Sequence, residues 1–335
     1  MKILLRALAA VIVVGLAATG YVGYRLNQSY QGFGEPVFVE FPRGTSTSAM
    51  AAALADKGVI RSQWEFLAAR ALRRTHLQAG EYKFDKAASA LEVYGRIARG
   101  DIFYVELLVP EGYNMFDIAG AIDKLENKER LPALSSAAFL AAARNPAMIQ
   151  DLDPAAQTLE GYLFPNKYRL YRHSTGQQLC RQMTNEFRTR WKALNAKGNV
   201  HDTVTLASLV EREARLPQER PRVASVFANR LRTGMKLDCD PTTVYAALLE
   251  KRYTGVIHRS DLDSRNPYNT YQHAGLPPGP IANPGISSIQ AALTPADSSY
   301  LYFVARADGS GGHNFSTSLS EHEAAVAQYH RAIAK

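Results

Sequence analysis

Residues 7–24 read ALAAVIVVGLAATGYVGY, eighteen consecutive residues without a charge, closed by Arg6 on one side and Arg25 on the other. No other stretch restricts the chain so strongly, because a run this apolar satisfies its backbone in lipid only as a helix. At about 1.5 Å per residue it covers about 27 Å, close to the hydrocarbon thickness of a bilayer. Tyr21 and Tyr24 fall where an interfacial aromatic belt is expected. A cleaved signal peptide is the competing expectation. Against it, the run is longer than a usual signal core, and residues 21–25 offer a poor small-residue cleavage site. The sequence therefore predicts an uncleaved transmembrane anchor at 7–25. Lys2 and Arg6 precede the span, which assigns residues 1–6 to a cytoplasmic tail and everything after Arg25 to the outside, in a bacterium the periplasmic face of the inner membrane.

The chain of 335 residues, 46% of them hydrophobic, leaves room beyond the span for more than one domain. The net charge of +8 points to an acidic partner, whether anionic lipid, cell-wall polymer or nucleic acid. Nucleic acid is the weakest of the three, since no zinc-finger spacing, phosphate-binding glycine loop or RNA-binding aromatic motif occurs. Cys180 and Cys239 leave a disulfide and two buried thiols equally open.

Periodicity predicts an α+β chain. VFVEFPRG alternates as a strand; STSAMAAALADKGVI comes next as a helix with Ser46 as N-cap and Gly58 at its end. SQWEFLAARALRR and SALEVYGRIARG read as helices, LQAGEYKF and IFYVELLVPEG as strands, and NMFDIAGAIDKL as another helix. These make an accessory α+β region over 36–150. From 151 the texture changes to long helical patterns at 177–196, 203–215 and 220–233, an irregular stretch at 264–285, a strand-like YLYFVARA and a last helix from Ser320. That second region, 151–335, is expected to hold the chemistry.

The candidate site begins with TLASLVEREARL, residues 205–216, where an apolar helix suddenly carries Glu211 and Glu213. Two residues apart on a helix, they lie about 200° apart and cannot share a cleft. Periodicity does not choose between them. Both as surface acids, with Glu211 paired to Arg215 four residues on, is the plain alternative. The stretch NPYNTYQHAGLPPGPIANPG, 266–285, mixes rigid prolines, permissive glycines, aromatic rings and amides. Tyr268, Tyr271, Asn269 and Asn283 there suit a sugar, with its apolar faces and hydroxyl rim, although a structural loop has the same composition. Asp240 before Pro241 reads as a helix N-cap. Asn229 lies off the core stripe of its helix, and His313 comes after a glycine turn. No His, Cys or Asp set has metal-ligand spacing, and no GxSxG elbow is present, so neither a metal nor another cofactor is called for.

EGYLFP (160–165), TLASLVEREA (205–214), VASVFANRLRTGMKLDCDPTTVYA (223–246), YNTYQHAGLPPGPIANPG (268–285) and YLYFVARADGSGGHNFS (300–316) together resemble the endolytic murein transglycosylases, a family of membrane-anchored, YceG-like lytic transglycosylases. The resemblance covers most of the chain and implies a small LysM-like module before the catalytic domain. It implies nonhydrolytic cleavage of the β-1,4 MurNAc–GlcNAc bond of peptidoglycan, leaving 1,6-anhydro-MurNAc ends and terminating nascent strands. It assigns the catalytic acid to the first glutamate of the VExE motif, Glu211 here. Beside it, Asn229 and Asp240 are expected to orient substrate or Glu211, Tyr268, Asn269, Tyr271 and Asn283 to line the glycan groove, and His313 to hydrogen-bond the sugar. Peptidoglycan strands and the inner membrane are the implied partners, with peptidoglycan synthases beside them. A hydrolase pairing Glu211 with Asp240 or Glu160, and an inactive wall-binding scaffold, are the rival expectations.

Overall fold

The structure is a computed structural model that describes residues 2–126 and 131–334. The chain divides between Tyr104 and Val105 into two compact units, each an α+β assembly.

In the first unit α1 (Lys2–Asn27) is long and apolar enough to span a membrane, and its apolar stretch is exposed. Then come β1 (Val37–Phe41), α2 (Thr47–Asp56), α3 (Gln63–Arg73), β2 (Gly80–Phe84) and α4 (Ala90–Arg99). β1 and β2 pair antiparallel, with Val39 opposite Tyr82. Their inner residues Val39, Phe41, Tyr82 and Phe84 meet Leu54, Phe66, Val93 and Ile97 in one core. Ser46 caps α2 by accepting the Ala49 N–H, and Gly58 takes the left-handed conformation just past that helix, as the sequence predicts.

The second unit runs β3 (Val105–Val109), α5 (Met115–Glu126), α6 (Ser136–Ala143), β4 (Asn166–Leu170), α7 (Gly176–Ala193), α8 (Val200–Glu213), α9 (Arg220–Arg232), α10 (Asp240–Leu249), α11 (Arg259–Leu262), α12 (Ile286–Leu293), β5 (Tyr302–Ala305), β6 (His313–Ser316) and α13 (Leu319–Ile333). β3 pairs antiparallel with β4, far along the chain, and β5 with β6. The expected division near residue 150 therefore falls inside this unit: β3, α5 and α6 belong to its core through the β3–β4 ladder and through Leu107, Ile118 and Phe139. α8 is the central element. Thr203 through Val210 are all buried, so the helix has no solvent face for most of its length, and it packs against α9, α10 and α12.

Candidate functional site

α8 begins three residues earlier than its apolar pattern suggests, because the Asn199 side chain caps it by accepting the Asp202 N–H. It stops at Glu213, where Ala214 turns extended. That stop decides the fate of both acids. Arg215 lies beyond the helix, so the expected i,i+4 pair with Glu211 does not form. Glu211 instead accepts from Arg220 Nη2 at 2.8 Å, across a short 3-10 turn at Pro217–Glu219. Its other oxygen accepts the Gly285 N–H at 2.9 Å, at the start of α12.

The Glu211 side chain is only 4% exposed. Burial pushes it above the ordinary carboxylate range, while the Gly285 N–H and the Arg220 charge hold it back. Its position in the last turn of α8 works in the same direction as burial, since the carbonyl end of a helix disfavours an anion. Arg220 is itself shared. Nη1 donates to Ser287, and Nη2 also reaches Glu111 Oε2 at 3.3 Å. Glu111, about half exposed, sits on the turn after β3. Sequence reasoning missed Glu111; its signal there is a glutamate beside Gly112 in PEGYN, a turn whose glycine adopts φ +79.

Two irregular loops form the wall above Glu211, and amide side chains tie them together. The Gly112 N–H donates to Asn283 O at 2.9 Å, and the Asn283 N–H to Tyr113 O at 2.8 Å. The Asn283 side chain donates to Tyr113 O and to Glu160 Oε1 and accepts the Leu163 N–H. Asn283 is fully buried with both ends of its amide engaged, so it holds the loops and has nothing left to offer a sugar. Glu160 is equally enclosed: Oε1 takes the Asn283 amide and Oε2 the Met115 N–H. Burial pushes its carboxyl up to about 8, against these donors. As the second acid of a hydrolase it is in the wrong place, sealed in the core.

The remaining predicted residues separate into three groups. Asp240 and Tyr271 come together, the Tyr271 hydroxyl donating to Asp240 Oδ1 at 2.6 Å. That bond corrects the N-cap expectation: Cys239 takes the cap position, and Asp240, the first residue of α10, turns its carboxylate to Tyr271. Both line a cavity of about 410 Å³ with Glu213, Arg230, Tyr302 and Cys239. Glu213 thus faces away from the Glu211 cluster, accepts the Cys239 thiol at 3.2 Å, and is also raised, by burial first. Tyr268 is half-buried, its ring 5.1 Å from that of Tyr245. The third group is structural. Asn269, fully buried, donates to the carbonyls of Leu262 and Ser264 and accepts the Tyr271 N–H. Asn229 donates to Ser298 O and Tyr300 O, fastening α9 to the segment before β5. His313 is bonded by ring and backbone to buried Glu219, one residue before Arg220. These three serve the scaffold and are not gathered around Glu211. Cys180 and Cys239 are buried free thiols.

Against this geometry stand the known proteins. An endolytic murein transglycosylase of Bacillus subtilis is 34% identical over 309 residues, 88% of this chain and 84% of that protein. One of Streptococcus pneumoniae is 27% identical over 348 residues, 94% of this chain but 63% of that protein. The crystal structure of a YceG-like protein from Listeria monocytogenes superposes with a TM-score of 0.55 at 32% identity, over 87% of this chain and 99% of that one. The sequence profile of the YceG-like family matches residues 39–328, and the chain belongs to that family.

Proposed function

We propose that this chain is an endolytic murein transglycosylase with Glu211 as its only acid–base group. The observation that carries the assignment is the Glu211 carboxyl itself: nearly sealed from solvent, raised by burial, yet held at the mouth of two loops by Arg220 and the Gly285 N–H. Such a group holds its proton to higher pH than a free carboxylate does, and has a cation beside it once the proton is lost. In the reaction, Glu211 gives its proton to the bridging oxygen as the MurNAc C1–O bond breaks. The resulting carboxylate then takes the proton of the MurNAc C6 hydroxyl, whose oxygen closes on C1. One proton leaves and returns, no water is consumed, and the product carries a 1,6-anhydro end. Arg220 stabilises the carboxylate between the two transfers.

α1 would hold the enzyme at the inner membrane with both units in the periplasm, and the first unit, in the place of a LysM-like module, would add contact with the glycan strand. Tyr271, Tyr302 and Asp240 give their cavity the ring faces and hydrogen-bonding groups of a sugar subsite. Synthases that feed the nascent strand are the expected neighbours.

Purified full-length chain should release anhydro-muropeptides from peptidoglycan, read by mass. Glu211→Gln should lose this by about 100-fold or more, on the order of an essential acid–base group, while Glu213→Gln keeps most of it. Loss in Glu213→Gln alone would refute the assignment.

A second reading rests on Glu111. Because one arginine nitrogen contacts both acids, their nearest oxygens are at most about 6 Å apart, a separation compatible with a retaining two-carboxylate hydrolase. Products heavier by one water, abolished in Glu111→Gln, would decide for it.

A further inference from the structure

α3 has two apolar faces. Glu65, Phe66 and Ala69 are buried against the core of the first unit. On another side Leu67, Ala71, Trp64 and Leu72, all exposed, follow one another around the helix over about 140° at 100° per residue. Trp64, Leu67 and Leu72 are 39%, 40% and 68% exposed. Soluble helices turn such a stripe inward; here it faces out.

Its place in the fold says what covers it. Arg25, in the last turn of α1, donates to Glu65 Oε1 through Nε and Nη2, at 3.1 and 2.6 Å, and its Nη1 donates to the Tyr21 hydroxyl at 3.0 Å. The same guanidinium lies 5.8 Å from the Tyr21 ring centre and 5.6 Å from that of Trp64. Tyr21, Arg25 and Trp64 therefore sit at one level, where the apolar stretch of α1 ends. Basic residues lie at both ends of α3, Arg61 just before it and Arg70, Arg73 and Arg74 in and just after its last turn, and Arg61, Arg73 and Arg74 are exposed.

We propose that the outer face of α3 is a membrane-surface contact, with Trp64, Leu67 and Leu72 inserted among the headgroups of the bilayer that α1 enters and the arginines binding anionic lipid. The inference rests on reading α1 as a membrane span. An apolar stripe with tryptophan and arginines at its ends is the composition of an interfacial helix, and the span supplies the local surface without a separate binding step. The contact would fix the first unit against the membrane and remove the swivel that a lone span allows.

The chain has two tryptophans, and Trp191 is buried in the second unit, so Trp64 is the one lipid can reach. The full chain is reconstituted in phosphatidylglycerol-containing vesicles with brominated acyl chains. The wild type should lose the Trp64 share of its emission, Trp64→Phe should lose none, and uncharged vesicles or an Arg70→Glu, Arg73→Glu, Arg74→Glu variant should show weaker quenching. Alkaline flotation separates the two ideas. A chain that floats with Trp64 unquenched overturns the surface contact and leaves the span standing. A chain that does not float removes the span and the contact with it. Trp64 shielded from lipid in a dimeric chain would also overturn the proposal and assign the face to a second copy.

Discussion

Glu160 gives the sharpest measurable consequence of the site's architecture. In the folded chain its carboxyl is raised to about 8 from an ordinary 4.5. A raised acid keeps its proton in the native state over a pH range where the unfolded chain has released it. Its contribution to stability is therefore complete below the unfolded value, falls as pH rises, and is gone above the folded value. Over the full window of about three and a half units the difference amounts to about 5 kcal/mol, and between pH 6 and pH 8 to about 2 kcal/mol. Glu211 and Glu213 are also raised, so the wild type alone cannot isolate the effect. Glu160→Gln removes the titration and keeps the shape. The amide meets donors from Met115 and Asn283 on both sides, so its NH₂ faces one of them and costs about 1–3 kcal/mol at low pH. Denaturant unfolding of both proteins in detergent, from about pH 5 to 8, should show the gap between them closing by about 2 kcal/mol as pH goes from 6 to 8. A gap that stays constant or widens with pH would mean that Glu160 is ionised in the fold.

The same contacts carry other consequences. Arg220→Gln leaves the buried Glu211 carboxylate without its cation. The variant should lose about 3 kcal/mol where Glu211 is ionised and less as pH falls and Glu211 protonates, and the alkaline limb of the pH–rate profile should move upward; a limb that stays put separates Arg220 from the acid. Gly285→Ala keeps an allowed backbone, φ −73, but its Cβ would fall 1.9 Å from Glu111 Oε1, the end of a flexible side chain. It should fold within about 1 kcal/mol of wild type and displace Glu111 from Arg220; cleavage of the glycan should persist, and its loss would give Glu111 a part in the reaction and favour the two-carboxylate reading. Gly161→Ala, by contrast, combines φ +87 with a Cβ 2.4 Å from Pro280, and should cost about 2 kcal/mol or more in thermal unfolding. Both thiols are buried and pushed up by burial, Cys180 to about 12, so a thiol reagent should count two only after denaturation; rapid native labelling would refute their enclosure.

Local signals in the sequence carried as far as local physics reaches. The cap at Ser46, the glycine past α2 and the long apolar helix need only neighbouring residues, and each appears where the pattern puts it. The division of the chain did not, because it depends on β3 finding β4 across an intervening helical stretch, a pairing no window of sequence contains. The choice between Glu211 and Glu213 stayed open for a definite reason. Amphipathic periodicity locates a face against solvent, and α8 is buried all round from Thr203 to Val210, the stretch that leads into both acids. Each acid went to a polar partner supplied from elsewhere, Arg220 for one and the Cys239 thiol for the other.

The amides show how composition misleads about a site. A loop rich in Asn, Tyr, Pro and Gly looks like a ligand surface because its groups hydrogen-bond well. Such a loop also has backbone donors and acceptors that no helix or ladder satisfies, and inside a fold these must find partners. Asn269 and Asn283 are those partners, bonded to six backbone groups between them. Their effect on the site is indirect and one step removed: Asn283, held by Glu160 and Tyr113, fixes the turn that delivers the Gly285 N–H to Glu211. In the proposed reaction the chemistry depends on a carboxyl whose protonation is set by burial on one side and by two fixed donors on the other. Removing either donor raises Glu211 further, and relaxing the burial lowers it, so the pH dependence of cleavage reports on the loops as directly as on the acid itself.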